Sequence, residues 1–129
     1  MLKYIKEFRK YVAIVGLRNV RIKKPEELLE MFRNDKSAKV EIQFFDVTLV
    51  ATWEHLYFAL LNALTAFRNK DNLSKSIAME TMLYASAQHQ ITKATELMGI
   101  RTSTKAMAVL VVGDNAGTVE AWVQSILKY

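Results

Sequence analysis

The sequence predicts a single α/β (α+β) domain over residues 1–129, with a small mixed sheet of three to five strands packed with about five helices. Three observations carry this. Tyr11–Leu17, read YVAIVGL, is rich in β-branched residues and is closed by Gly16 and Asn19, as a strand is. Ala106–Val112 is an unbroken apolar run of strand length, which is how a strand buried on both faces reads. Between them, Trp53, Leu56, Tyr57, Leu60, Leu61, Leu64 and Phe67 recur at the spacing of one helical face.

The remaining elements follow in order. Pro25 opens a short helix, with Glu26 and Glu27 suited to its positive end and Leu28, Leu29 and Phe32 forming one apolar side. Asn34–Ser37 is turn-rich. Val40–Phe44 alternates with period two, so one face is expected buried and the other polar, and Asp46 interrupts it. Val47–Ala51 fits a second strand or a buried connector, and Thr52 is suited to cap the long helix. After the polar stretch Arg68–Asn72, Ser74 is suited to cap a helix running to about Ala87, apolar on nearly all sides. "YASAQHQITKA", Tyr84–Ala94, then turns the chain into a third helix, with Ile91, Ala94, Leu97 and Met98 expected inward and Gly99 as its stop. Val119, Trp122, Val123, Ile126 and Leu127 mark a last helix.

Bulk composition limits the chemistry. Half the chain is apolar and 129 residues suffice for a real core, so a folded domain is expected. With no cysteine, disulfides, thiolate nucleophiles and cysteine-ligated zinc are excluded, and a reducing cytoplasmic setting fits. No apolar run approaches a membrane span, and the N-terminus lacks a signal-type apolar stretch, so no membrane association is expected. The net charge is +5 and unevenly placed. Within the first 24 residues, Lys3, Lys6, Arg9, Lys10, Arg18, Arg21, Lys23 and Lys24 are opposed only by Glu7. Such a basic arm suits an anionic partner such as RNA, or equally a solvated surface.

A catalytic kit is hard to assemble. His55 and His89 are the only histidines, and neither has a second ligand one helical turn away. The four glycines do not cluster into a phosphate loop, so no metal or cofactor is expected. Ser86 near His89 offers a nucleophile with a base on spacing alone, which leaves a small serine hydrolase as the alternative function. A serine at a helix corner is more often hydrogen-bonded to its own backbone. His55 is expected to be half-buried on a backbone carbonyl.

The order Val50-Ala51-Thr52-x-x-His55, Ala63, Ser76-Ile77-Ala78-Met79-Glu80, Tyr84–Ile91, Ala94, Leu97 and Gly99-Ile100 resembles the small kinase-binding subunit of the KEOPS (EKC) complex, the PRPK-binding protein (TPRKB-like) family in its archaeal form. The similarity covers about residues 11–113. The family pattern at the corner is closer to Ala-Ser-Gly-x-Arg-Gln-Ile. Here Ala87 stands where glycine is usual and His89 where arginine is usual. Ala87 implies either no positive φ at the corner or a cost for it.

The resemblance implies a non-catalytic, cytoplasmic protein that binds the small lobe of the complex's atypical kinase/ATPase subunit. It also implies a grip on tRNA, including its 3′ CCA end, and hence indirect service to the subunit that makes threonylcarbamoyladenosine. Single-stranded bases are read by stacking and edge hydrogen bonds, with cations on the phosphates. On that basis Tyr84, Gln88, His89 and Gln90, with Lys70, Lys75, Lys93 and Arg101, are the expected tRNA contacts. Leu73, Ile77, Met79 and Trp122 are the expected kinase contacts. A kinase adaptor without RNA contact is a further alternative.

Overall fold

The computed structural model describes residues 1–33 and 39–128, with the backbone alone at Arg33. The expected turn at Asn34–Ser37 lies outside the described residues. The strands are β1 (Leu2–Ile5), β2 (Lys10–Leu17), β3 (Val40–Asp46) and β4 (Met107–Gly113), and the helices are α1 (Pro25–Arg33), α2 (Trp53–Arg68), α3 (Ile77–Ser86), α4 (Ile91–Met98) and α5 (Ala116–Lys128). The strands form one sheet in the order β1-β2-β4-β3. Every pairing is antiparallel, so the sheet is not mixed as expected.

Alternation along the strands divides the interior in two. Val12, Ile14, Phe45, Ala108, Leu110 and Val112 face a core closed by α2, α3 and α4. Ala13, Phe44, Met107, Val109 and Val111 face a second core closed by α1 and α5, through Leu28, Phe32, Val119 and Ile126. β4, central and covered on both sides, is buried along its whole length, as its apolar run predicts. The N-terminal residues form a hairpin, with Leu2–Ile5 paired to Lys10–Ala13.

Several local expectations need correction. β3 does not keep a polar face: Gln43 is buried and Glu41 half-buried, because the start of α3 covers them. Gln43 Nε2 donates to Ala78 O at 2.9 Å, and Ala78 N–H donates to Glu41 Oε1 at 3.0 Å. A polar side chain under a helix start is thus spent on that helix's unpaired backbone groups. Val47–Leu49 is a 3-10 turn, neither strand nor buried connector, and Leu49 is exposed. Thr52 occupies the cap position of α2 but makes no side-chain cap bond. Trp53, on the predicted stripe, stays exposed at the first turn, beside Tyr57 and Lys3.

The cap of α3 is Ser76, whose Oγ accepts from Met79 N at 3.1 Å; Ser74 has another role, described below. In α4, Ala94 and Met98 are buried, whereas Ile91 and Leu97 face outward. Gly99 does end α4, with an extended backbone rather than a left-handed one. What requires glycine there is space, since a Cβ would lie 2.5 Å from the Thr95 carbonyl oxygen.

Candidate partner and RNA interface

The α2–α3 connector is fixed by one carboxylate. Glu80, on α3, is 1% exposed. Its Oε1 accepts from Ser74 N at 2.8 Å and from Ser74 Oγ at 2.7 Å, and its two oxygens accept from Leu73 N at 3.1 and 3.0 Å. A buried carboxylate is tolerated when its lone pairs are met by donors in this way. Asn72 Nδ2 adds a bond to Ser74 O. The connector is therefore folded back over α3, and Leu73 is left 61% exposed at its tip. Glu80 belongs to the Ser76–Glu80 motif, yet periodicity and capping rules do not give it this role. The available signal is an acid as the one charged residue of the helix Ile77–Ser86.

The α3–α4 corner is fixed by its backbone. Ala87 adopts φ 56°, ψ 37°, the left-handed conformation that closes a helix. Ala87 N–H donates to Tyr84 O at 3.2 Å and Gln88 N–H to Leu83 O at 3.0 Å. Of the two expectations for Ala87, the costly one holds: an alanine here carries a left-handed strain of ~1 kcal/mol. His55 behaves as expected, its half-buried Nε2–H donating to Ala85 O at 2.9 Å and tying α2 to the end of α3.

Connector and corner together frame a groove of about 480 Å³ lined by Asp71, Leu73, Glu80, Leu83, Tyr84, Ala87, Gln88 and His89. Three of the expected tRNA contacts, Tyr84, Gln88 and His89, therefore share a groove with Leu73, an expected kinase contact. Lys70 and Lys75 are exposed on the connector, Gln90 and Lys93 at the start of α4. Gln90 holds the cap position there without a side-chain cap bond. Arg101 lies past the end of α4, where its Nη2 donates to Glu96 O at 2.9 Å.

The expected kinase contacts do not form one surface. Ile77 and Met79 are half-buried against the first core and line a second groove of about 560 Å³ at the open edge of β3, with Phe32, Val40 and Ile42. Trp122 packs on the other side of the sheet, edge-on to Phe32 with ring centroids 6.0 Å apart. Phe58, exposed on α2, and Leu49 are surface apolar residues that the sequence does not announce, since neither interrupts its local pattern.

Asp46, at the end of β3, ties that strand to the α4–β4 loop. It accepts from Thr104 Oγ1 at 2.6 Å, Thr48 Oγ1 at 2.5 Å and Thr48 N at 2.9 Å. Burial raises its pKa, but the Thr104 and Thr48 bonds, with help from the Arg101 charge, outweigh that and hold it below the usual carboxylate value.

The Ser86 hydroxyl donates to Met82 O at 2.8 Å and Leu83 O at 3.2 Å, so its proton is directed into its own helix rather than toward a base. Among the described residues, no three His, Asp or Glu side chains gather as a metal cage would need, and no helix is long and apolar enough to cross a membrane.

Residues 18–128 match the family model described as kinase binding protein CGI-121. The chain belongs to that family. A comparison with curated proteins found no match. The family match covers the corner groove, the Glu80 anchor, all of the β3-edge groove's lining except Lys10, and strands β3 and β4.

Proposed function

We propose that the chain is a non-catalytic, cytoplasmic subunit of a KEOPS-type tRNA-modifying complex. In this reading it binds the small lobe of an atypical kinase/ATPase subunit, holds tRNA by its 3′ CCA end, and so serves the synthesis of threonylcarbamoyladenosine. Membership in a kinase-binding family is the observation that carries the reading.

Two features support its finer parts. The groove beside the corner combines an exposed ring, Tyr84, with amide and imidazole groups from Gln88 and His89, and exposed cations stand on the adjoining connector and helix. That combination suits an unstacked base with its phosphates. The β3-edge groove, apolar where Ile77 and Met79 line it, suits the kinase lobe. Leu73 then serves the RNA groove rather than the kinase face. The Ser86–His89 hydrolase alternative is disfavoured because the serine proton is committed to backbone carbonyls.

The test is calorimetric titration of the chain with its kinase/ATPase partner, alongside an esterase screen. A one-to-one complex that Ile77→Glu abolishes, with the variant's thermal unfolding still cooperative, is the expected result. Ester turnover lost in Ser86→Ala would overturn it.

A further inference from the structure

The basic N-terminal stretch is a single arm in sequence and two separate regions in space. β2 spans about 25 Å between them. At the hairpin end two of the four cations, Lys3 and Lys10, are engaged and the arm's one acid is paired, whereas Lys6 and Arg9 are exposed. Lys10 pairs with Asp114 at 2.5 Å, Glu7 with Arg68 at 3.0 Å, and Lys3 stands 4.8 Å from the Tyr57 ring centroid. At the other end, Arg18, Arg21, Lys23 and Lys24 are all exposed, and among the described residues only Lys24 has an ionic partner, Glu27 at 3.4 Å.

This second region is built rather than loose. Val20 N–H donates to Lys105 O at 2.9 Å, Ile22 is buried, and the Lys24 carbonyl accepts from Glu27 N–H and Leu28 N–H at the start of α1. The 18–24 loop is thereby fastened to the α4–β4 loop, which brings exposed Lys105 to the same end of the sheet, the end where Leu17 pairs with Met107. A groove of about 560 Å³ runs under Arg18, Arg21 and Lys23.

We propose that this end of the sheet is a second RNA contact, binding the sugar-phosphate backbone at Arg18, Arg21, Lys23 and Lys105 while the corner groove holds the 3′ end. The inference rests on the RNA reading above. An RNA backbone is the occupant the charges favour. The cations are spread along a pinned loop, with Asn19 between them and Glu27, paired with Lys24, as the one acid lining the groove, so positive charge dominates and suits a continuous anion rather than a particular base.

The experiment compares the full chain with Arg18→Gln/Arg21→Gln/Lys23→Gln/Lys105→Gln in binding tRNA with and without its terminal CCA, across a salt series. Circular dichroism confirms the fold of each. A second variant, Arg18→Lys/Arg21→Lys, keeps the charge. The expected result is weaker binding of both RNAs by a similar factor, on the order of tenfold, with retained preference for the intact end and near-native binding by the lysine variant. The log-log salt slope should fall by roughly 0.7 to 0.9 for each phosphate that the variant no longer neutralises.

Unchanged affinity and slope, with the wild type still preferring intact tRNA, would overturn the second contact and leave the corner groove standing. Unchanged RNA binding with loss of the kinase complex would overturn it in favour of an acidic protein surface. No tRNA binding by the wild type would overturn the RNA reading itself, and this proposal with it.

Discussion

The two faces of the sheet are closed by different means. Under α1 and α5 the contacts are apolar and aromatic, with Phe32 between Phe44 and Trp122 at 5.9 and 6.0 Å. Under α2, α3 and α4, polar groups are built into the packing. Glu80 holds the connector, Gln43 and Glu41 meet the start of α3, and His55 meets its end. Apolar contacts fix how close two elements lie, whereas directional hydrogen bonds also fix the shape of the loops between them. The lesson is that the face carrying the candidate groove is the face with polar anchors, so the groove is set before any partner arrives.

The contrast predicts a graded set of effects. Glu80→Ala leaves the Leu73 and Ser74 N–H groups and the Ser74 hydroxyl without their acceptor, and should cost about 3 kcal/mol, lowering the thermal midpoint by roughly 10 °C. Glu80→Gln retains one acceptor oxygen and should lose less; equal loss in both would show that the charge, not the hydrogen-bond geometry, is what matters. On the other face, Trp122→Ala removes packing from a half-buried ring and should cost about 2 kcal/mol by denaturant titration, without altering tRNA affinity.

Asp46 supplies a pH signature. Its folded pKa is lowered, so its stabilising contribution is present above the unfolded carboxylate value, about 3.9, and is lost as pH falls through the lower folded value. Asp46→Asn should therefore lower stability near neutral pH and change it almost not at all at the acid limit of folding, as read from denaturant midpoints across pH. A constant difference across pH would contradict that assignment.

The smallest effect is a gain. Ala87→Gly relieves a left-handed alanine and should stabilise the chain by ~1 kcal/mol, measured as a shift in denaturant midpoint at constant slope.

The parts of the fold legible in sequence are those where burial is regular. The α2 stripe from Leu56 onward and the all-apolar β4 read correctly because both pack against neighbours, whereas Trp53 at the start of the stripe stays exposed. α4 does not, since only Ala94 and Met98 of its eight residues meet the core, and Ile91 and Leu97 carry the same apolar signal while facing outward. Ser74 and Ser76 look alike as caps, and a carboxylate seven residues from Leu73 decides between them. Of the candidate site, Tyr84, Gln88 and His89 come from resemblance, whereas Leu73 is placed with the kinase contacts as an apolar residue the core does not need. The neighbours of Leu73 depend on the connector folding back onto Glu80, a tertiary event that periodicity does not record. The split of the basic arm is hidden for the same reason.

The measurement that bears most directly on the account is binding of the wild type and Tyr84→Ala to tRNA with and without its 3′ CCA. The groove reading predicts that the wild type prefers intact tRNA, and that Tyr84→Ala binds intact RNA roughly tenfold more weakly, at the level of the trimmed RNA, with an unchanged thermal midpoint. Equal binding of both RNAs by the wild type would contradict it.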